Sequence, residues 1–124
     1  NDLFHPDFGE RHDAVSADIK RYLHKKAAEI ARAGCPVVLD WGFWTRAERE
    51  AASAHYRDAG IPFEWHCVEI SDSDWRRNIA SRNAAAAAGE TTDYAVDSGL
   101  LEKLESLFEP PTPEEACVLH RNTR

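Results

Sequence analysis

The stretch from Pro36 to Arg49, PVVLDWGFWTRAER, restricts the folds open to this chain more than any other. Val37-Val38-Leu39 is a short uninterrupted apolar run, the pattern of a strand buried on both faces of a parallel sheet. The run ends on a carboxylate, Asp40, and Gly42 permits a turn. Thr45 and Glu48 stand at capping-box spacing, which predicts a helix from Thr45. Open α/β sheets place ligands where a buried strand delivers an acid to its carboxyl end and a helix then begins. The first turn of that helix leaves backbone N–H groups unpaired. Arg46 and Arg49 lie in its first turns, so the local field suits an anion. The competing reading makes Asp40 a turn cap and the arginines solvated.

The flanking segments extend the pattern. From Asp13 to Ala33, Val15, Ile19, Tyr22, Leu23 and Ile30 recur at three-to-four spacing, predicting a long amphipathic helix closed by Gly34. The helix from Thr45 runs to Ala59, with Ala47, Ala51, Ala52 and Ala54 allowing close approach to a sheet, and Gly60 closes it. Residues 63–70 are rich in β-formers and predict a second strand. Two helix–glycine–strand units in succession are the layout of a doubly wound α/β sheet. Ser71 or Ser73 then caps a helix to Ala88, stopped by Gly89, and Glu90 to Tyr94 is a polar turn. Asp97 or Ser98 caps a helix with Leu100, Leu101, Leu104, Leu107 and Phe108 on its buried side. Pro110, Pro111 and Pro113 break it, and Ala116 to His120 predicts a last short strand. Asn1 to His12 reads as loop.

At 124 residues this is one domain or part of one, and a 43% hydrophobic content with four tryptophans makes a core affordable. No run approaches the length of a membrane span and no signal-peptide layout opens the sequence, so a cytoplasmic protein is the expectation. Cys35, Cys67 and Cys117 lack metal-ligand spacing and read as reduced core residues. The formal net charge of −7 argues against a general nucleic-acid surface. Seven acids against Lys103 between Asp93 and Glu115 account for −6 of it, so arginine-lined anion sites elsewhere stay open.

On the helix from Ser73, Trp75, Ile79 and Arg82 fall on one face, while Arg76 and Arg77 point elsewhere. An inward arginine near an anion-prone loop suits a transferring phosphoryl group, whose charge needs fixed cations. The alternative is a structural ion pair, which leads for Arg76 and Arg77. The six histidines form neither HxxxH nor HExxH, and no Cys/His cluster has zinc spacing. His66 points away from the face of Cys67, and His5, His12, His24, His55 and His120 read as surface or packing residues. No nucleophile elbow is present, and the tryptophans read as core.

The segment from Val37 to Arg49, with Trp75-Arg76-Arg77, Arg82-Asn83, Tyr94 to Leu100 and Phe108-Glu109-Pro110-Pro111 in order, resembles the bacterial AAA-type, P-loop kinase-like ATP-binding proteins. These are relatives of polynucleotide kinase, zeta toxin and chloramphenicol phosphotransferase. The resemblance implies a P-loop NTPase-like three-layer α/β/α fold around a parallel sheet, and a phosphotransferase using ATP and Mg²⁺. It implies Asp40 near Mg²⁺ (through water) and near the phosphate acceptor. It makes the 71–90 segment the lid, with Arg82 and Arg77 at the ATP phosphates, and sets Pro110 and Pro111 by the adenine. Trp41, Thr45, Arg46 and Arg49 fall on the acceptor side. Trp41-Gly42 replaces the Thr-Asn pair of the polynucleotide kinase branch, so that branch's acceptor chemistry does not transfer.

The family's GxxxxGK[ST] loop is not among these residues; the lysines, Lys20, Lys25, Lys26 and Lys103, are not preceded by its glycines. Nor is there an initiating methionine. The expectation is therefore the C-terminal portion of one such domain, lacking its first strand, phosphate loop and second strand, and inactive by itself. Three functions stay open: a kinase acting on a small molecule or a nucleic-acid end, a nucleotide-hydrolysing module without acceptor, and a non-catalytic module that self-associates through an open sheet edge.

Overall fold

The computed structural model describes residues 10–93 and 95–122. Its elements run α1 (Glu10–Arg32), α2 (Arg46–Asp58), β1 (His66–Ile70), α3 (Asp72–Ala87), α4 (Ser98–Leu107), a 3₁₀ turn (Pro113–Glu115) and β2 (Val118–Asn122). The chain is therefore mixed α/β, with a two-stranded parallel sheet among the described residues. The four α-helices among the described residues lie within a few residues of their predicted spans. The first begins at Glu10, inside the stretch read as loop; Asn1 to Phe8, Gly9 and His5 lie outside the described residues, as does Tyr94.

The described residues divide into two units. The first holds α1, the segment through Phe43 and the body of α2. Its helices are joined by His24 Nδ1 to Tyr56 Oη at 2.7 Å and by Lys20 Nζ to Glu48 Oε1 at 3.3 Å. Ala27, Ala28, Ala52 and Tyr56 are its buried side chains, with Arg49 buried beside them. Trp41 stacks on Phe43 and meets His24 edge-on, so the loop after Asp40 is held by aromatic contacts.

The second unit holds Trp44–Arg46 and everything from Glu64 onward. Parallel strands need a long crossover, and here the residues between β1 and β2 supply α3 and α4. The register pairs His66 with Val118 and Ile70 with Asn122. Ser71 caps α3 by accepting the Asp74 N–H, and Asp97 caps α4 by accepting the Leu100 N–H. One amide ties these helices together: Asn83 Nδ2 donates to Val96 O at 2.8 Å, and Val96 N donates to Asn83 Oδ1 at 2.7 Å. Among the described residues of this unit, Val96 is the buried apolar one.

Three expectations are corrected. Val37–Leu39 is not a strand: it makes no ladder among the described residues, and Val38 is 88% exposed. An extended apolar run becomes a strand only where a neighbour takes its backbone hydrogen bonds. The stripe Val15, Ile19, Tyr22, Leu23 and Ile30 is exposed rather than buried, as are Leu107 and Phe108 on the helix before the prolines. The cysteines form no disulfide, but none is a core residue: Cys35 is exposed and Cys67 and Cys117 are half-buried.

Candidate functional site

Asp40 ends the apolar run with its side chain exposed, not sealed within a core. Trp41 and Thr45 are half-buried, Trp41 within the aromatic contacts described above. Arg49 turns inward: it is only 3% exposed, and its Nη1 donates to Phe43 O at 3.1 Å. This arginine braces the loop that follows Asp40 from beneath. A buried guanidinium needs such acceptors, because desolvating its charge is costly.

Arg46 is the first helical residue of α2, one later than the predicted start at Thr45. Its backbone N–H donates to Glu109 Oε2 at 3.0 Å, and Glu109 N donates to Trp44 O at 2.8 Å. Its guanidinium Nη2 stands 3.9 Å from Glu114 Oε2. The helix start therefore does attract an anion, as its unpaired N–H groups require, and the anion is the chain's own carboxylate. Sequence reasoning missed Glu109, which lies 63 residues away and leaves no local spacing to read. The same segment sets Phe108 edge-on to Trp44 at 5.9 Å, with Pro110 exposed and Pro111 half-buried beyond it.

On α3, Trp75, Ile79 and Arg82 are half-buried, while Arg76 and Arg77 are exposed, which is the facing that the helical period predicts. Arg82 Nε lies 4.0 Å from Asp93 Oδ2. Arg76 pairs with Asp72 and Glu105, and Arg77 pairs with Asp74. The carboxyl of Asp74 is held below the usual carboxylate range, first by the Ser71 hydroxyl and then by Arg77. The Asn83 clamp was the second residue sequence reasoning missed, since an asparagine in a helix carries no signal of its distant partner.

The Arg46 N–H thus already holds a carboxylate, and the half-buried Arg82 faces the Asp93 carboxylate. The described residues include no group of three or more His, Cys, Asp or Glu side chains placed to hold a metal. A Mg²⁺ ion at Asp40 would draw its remaining oxygens from phosphate and water, the usual state of that ion at nucleotide sites.

The family model described as an AAA domain matches residues 5–111. The chain belongs to the AAA domain family. That membership puts it among nucleotide-binding P-loop proteins of kinase-like type. A search of curated proteins and a search of solved structures find no match. The matched range takes in Asp40, the α3 arginines and both Pro110 and Pro111, and stops before β2. No helix of the described residues is long and apolar enough to cross a membrane.

Proposed function

We infer that this chain carries the acceptor-side and lid residues of an ATP-dependent phosphotransferase acting on a small molecule or a nucleic-acid end, within a three-layer P-loop sheet. The observation that carries the reading is the AAA domain match across residues 5–111. Exposed Asp40 would hold Mg²⁺ through water on the acceptor side, and Arg82 and Arg77 would supply positive charge for the phosphates. Pro110 and Pro111 border the adenine. Trp41, Thr45 and Arg46 would border the acceptor, and the inward-turned Arg49 would hold the Phe43 carbonyl. ATP supplies the phosphoryl group, and the chain's own contribution is positioning and fixed charge.

The test uses the protein as the cell makes it, with labelled ATP and Mg²⁺, screened against sugars, nucleosides, antibiotics and RNA ends. Transfer to one class is the expected result; release of phosphate without transfer identifies a hydrolase instead. Arg82→Ala is expected to lower turnover about a thousandfold or more, the scale of losing a transition-state arginine, while the unfolding midpoint stays near native. Near-normal turnover would remove Arg82 from the site.

A second reading, non-catalytic self-association, draws on a sheet of two strands among the described residues. Exposed Val68 and Leu119 lie on those strands. An open strand edge templates pairing with another chain. A chain that neither binds nucleotide nor transfers phosphate, yet sediments as a defined oligomer, would favour it.

A further inference from the structure

The segment from Phe108 to Thr112 links the end of α4 to the 3₁₀ turn, and both of its ends are pinned. Phe108 N donates to Leu104 O at 3.1 Å, and Thr112 N donates to Glu115 Oε2 at 2.7 Å. Between these anchors Glu109 holds Trp44–Arg46 at two points. Its own N–H donates to Trp44 O at 2.8 Å, while its Oε2 accepts the Arg46 N–H at 3.0 Å. Phe108 adds its edge-on contact with Trp44 at 5.9 Å, and Glu114 Oε2 stands 3.9 Å from Arg46 Nη2. One residue thus takes both a carbonyl and an amide of the same turn, which fixes the turn's orientation as well as its distance. The amide it takes is one that the start of a helix leaves without an intrahelical partner, and the acceptor is charged, the stronger kind of hydrogen bond.

The segment is stiff on the far side of Glu109. A residue that precedes proline is restricted to extended backbone, and Pro110 and Pro111 each carry a φ locked at about −65°. Phe108 and Thr112 are extended as well. Few soft torsions therefore lie between Pro110 and the two Glu109 contacts. A displacement at the prolines is passed on to Trp44 and Arg46 rather than absorbed within the segment.

We propose that Glu109 is a positioning residue that couples the adenine side of the nucleotide site, at Pro110 and Pro111, to the acceptor side, at Thr45 and Arg46. The inference rests on the phosphotransferase reading for the identity of those two sides and adds the link between them. Nucleotide seated against the prolines moves Glu109, and Glu109 resets the turn that presents Thr45 and Arg46 to the acceptor. Linkage is reciprocal, so an acceptor that favours the reset turn tightens nucleotide by the factor that nucleotide tightens the acceptor.

The experiment adds Mg²⁺ and a non-hydrolysable ATP analogue to the protein as the cell makes it, following the Arg46 amide and the Trp44 indole by NMR. Both signals are expected to shift as the native protein binds. In Glu109→Ala, analogue affinity should stay within about twofold of native, the scale of an ordinary surface change, while the two shifts are lost. Glu109→Gln keeps an oxygen that accepts the Arg46 N–H and should keep the shifts. Without nucleotide, exchange of the Arg46 amide should speed about tenfold or more in Glu109→Ala, the scale of one hydrogen bond to a charged group, and not in the exposed control Glu102→Ala. Circular dichroism checks that the variants fold. A native protein that binds no analogue removes the phosphotransferase reading and this link with it. Binding that leaves Arg46 and Trp44 unmoved, or moves them alike in native and Glu109→Ala, overturns the link alone.

Discussion

The ring of His24 shows what a residue-scale reading of the sequence can and cannot hold. A single histidine on a helix reads as a surface or packing residue, and His24 is a packing one. It meets Trp41 and Phe43, bonds Tyr56 Oη, and has the His55 ring 5.9 Å away. Burial lowers its pKa, and the neighbouring His55 and Lys20 charges push the same way. Burial also raises that of its Tyr56 partner. The folded state thus prefers neutral His24, whereas the unfolded chain takes up the proton near its ordinary value of about 6.5. Its contribution to stability is complete above that value and is lost as pH falls through the lowered folded-state pKa. Urea midpoints measured from pH 7.5 down to 5 should therefore fall, and His24→Gln should flatten part of that fall. An identical slope in the variant would place the acid sensitivity elsewhere. Arg49 teaches the converse lesson. Its charge reads in the sequence as an anion ligand; in the fold the guanidinium is buried and its Nη1 donates to the Phe43 carbonyl in the preceding loop. Only the fold decides that a side chain turns inward to a main-chain oxygen.

Helices were legible at the element scale because their signals are local. Ser71, Asp97, Gly34, Gly60 and Gly89 mark their ends, and each acts within a turn of its own position. The strand expected at Val37–Leu39 was not legible in the same way, since a strand is defined by its neighbour. Links between elements were silent too, and the Asn83 clamp is the clearest case. Asn83 satisfies both the N–H and the C=O of Val96, which is buried and immediately precedes the Asp97 cap of α4. Asn83→Ala leaves those two backbone groups unpaired, and an unsatisfied buried polar group costs about 1–3 kcal/mol. The expected result is a loss of stability in at least that range, read from denaturant unfolding. Ser81→Ala, an exposed change on the same helix, should stay within about 0.5 kcal/mol of native. Equal stability of Asn83→Ala and native would mean that water replaces the amide and the clamp holds nothing.

For the molecule as a whole, hydrophobic content and the location of hydrophobic burial part company. The composition makes a core affordable, yet the buried apolar side chains among the described residues are Ala27, Ala28, Ala52, Tyr56 and Val96, and no large one is fully enclosed. The period of α1 lines up Val15, Ile19, Tyr22, Leu23 and Ile30, but that face is exposed and the helix buries Ala27 and Ala28 instead. A period says which side would dock, not what docks there. Apolar area left in water in this quantity favours association, since each side chain removed from water gains on the order of 1.5–3 kcal/mol. The 124-residue chain is therefore expected to show a concentration-dependent sedimentation coefficient and to bind a hydrophobic dye. Ile19 is 53% exposed and Leu23 39%, so glutamate at both positions should cut association and dye binding while helicity persists. Association that survives Ile19→Glu with Leu23→Glu would shift attention to the strand edges, where a proline at Val68 should then abolish it. A native chain that stays monomeric and dye-free across the concentration range would show that the stripe drives no contact at all.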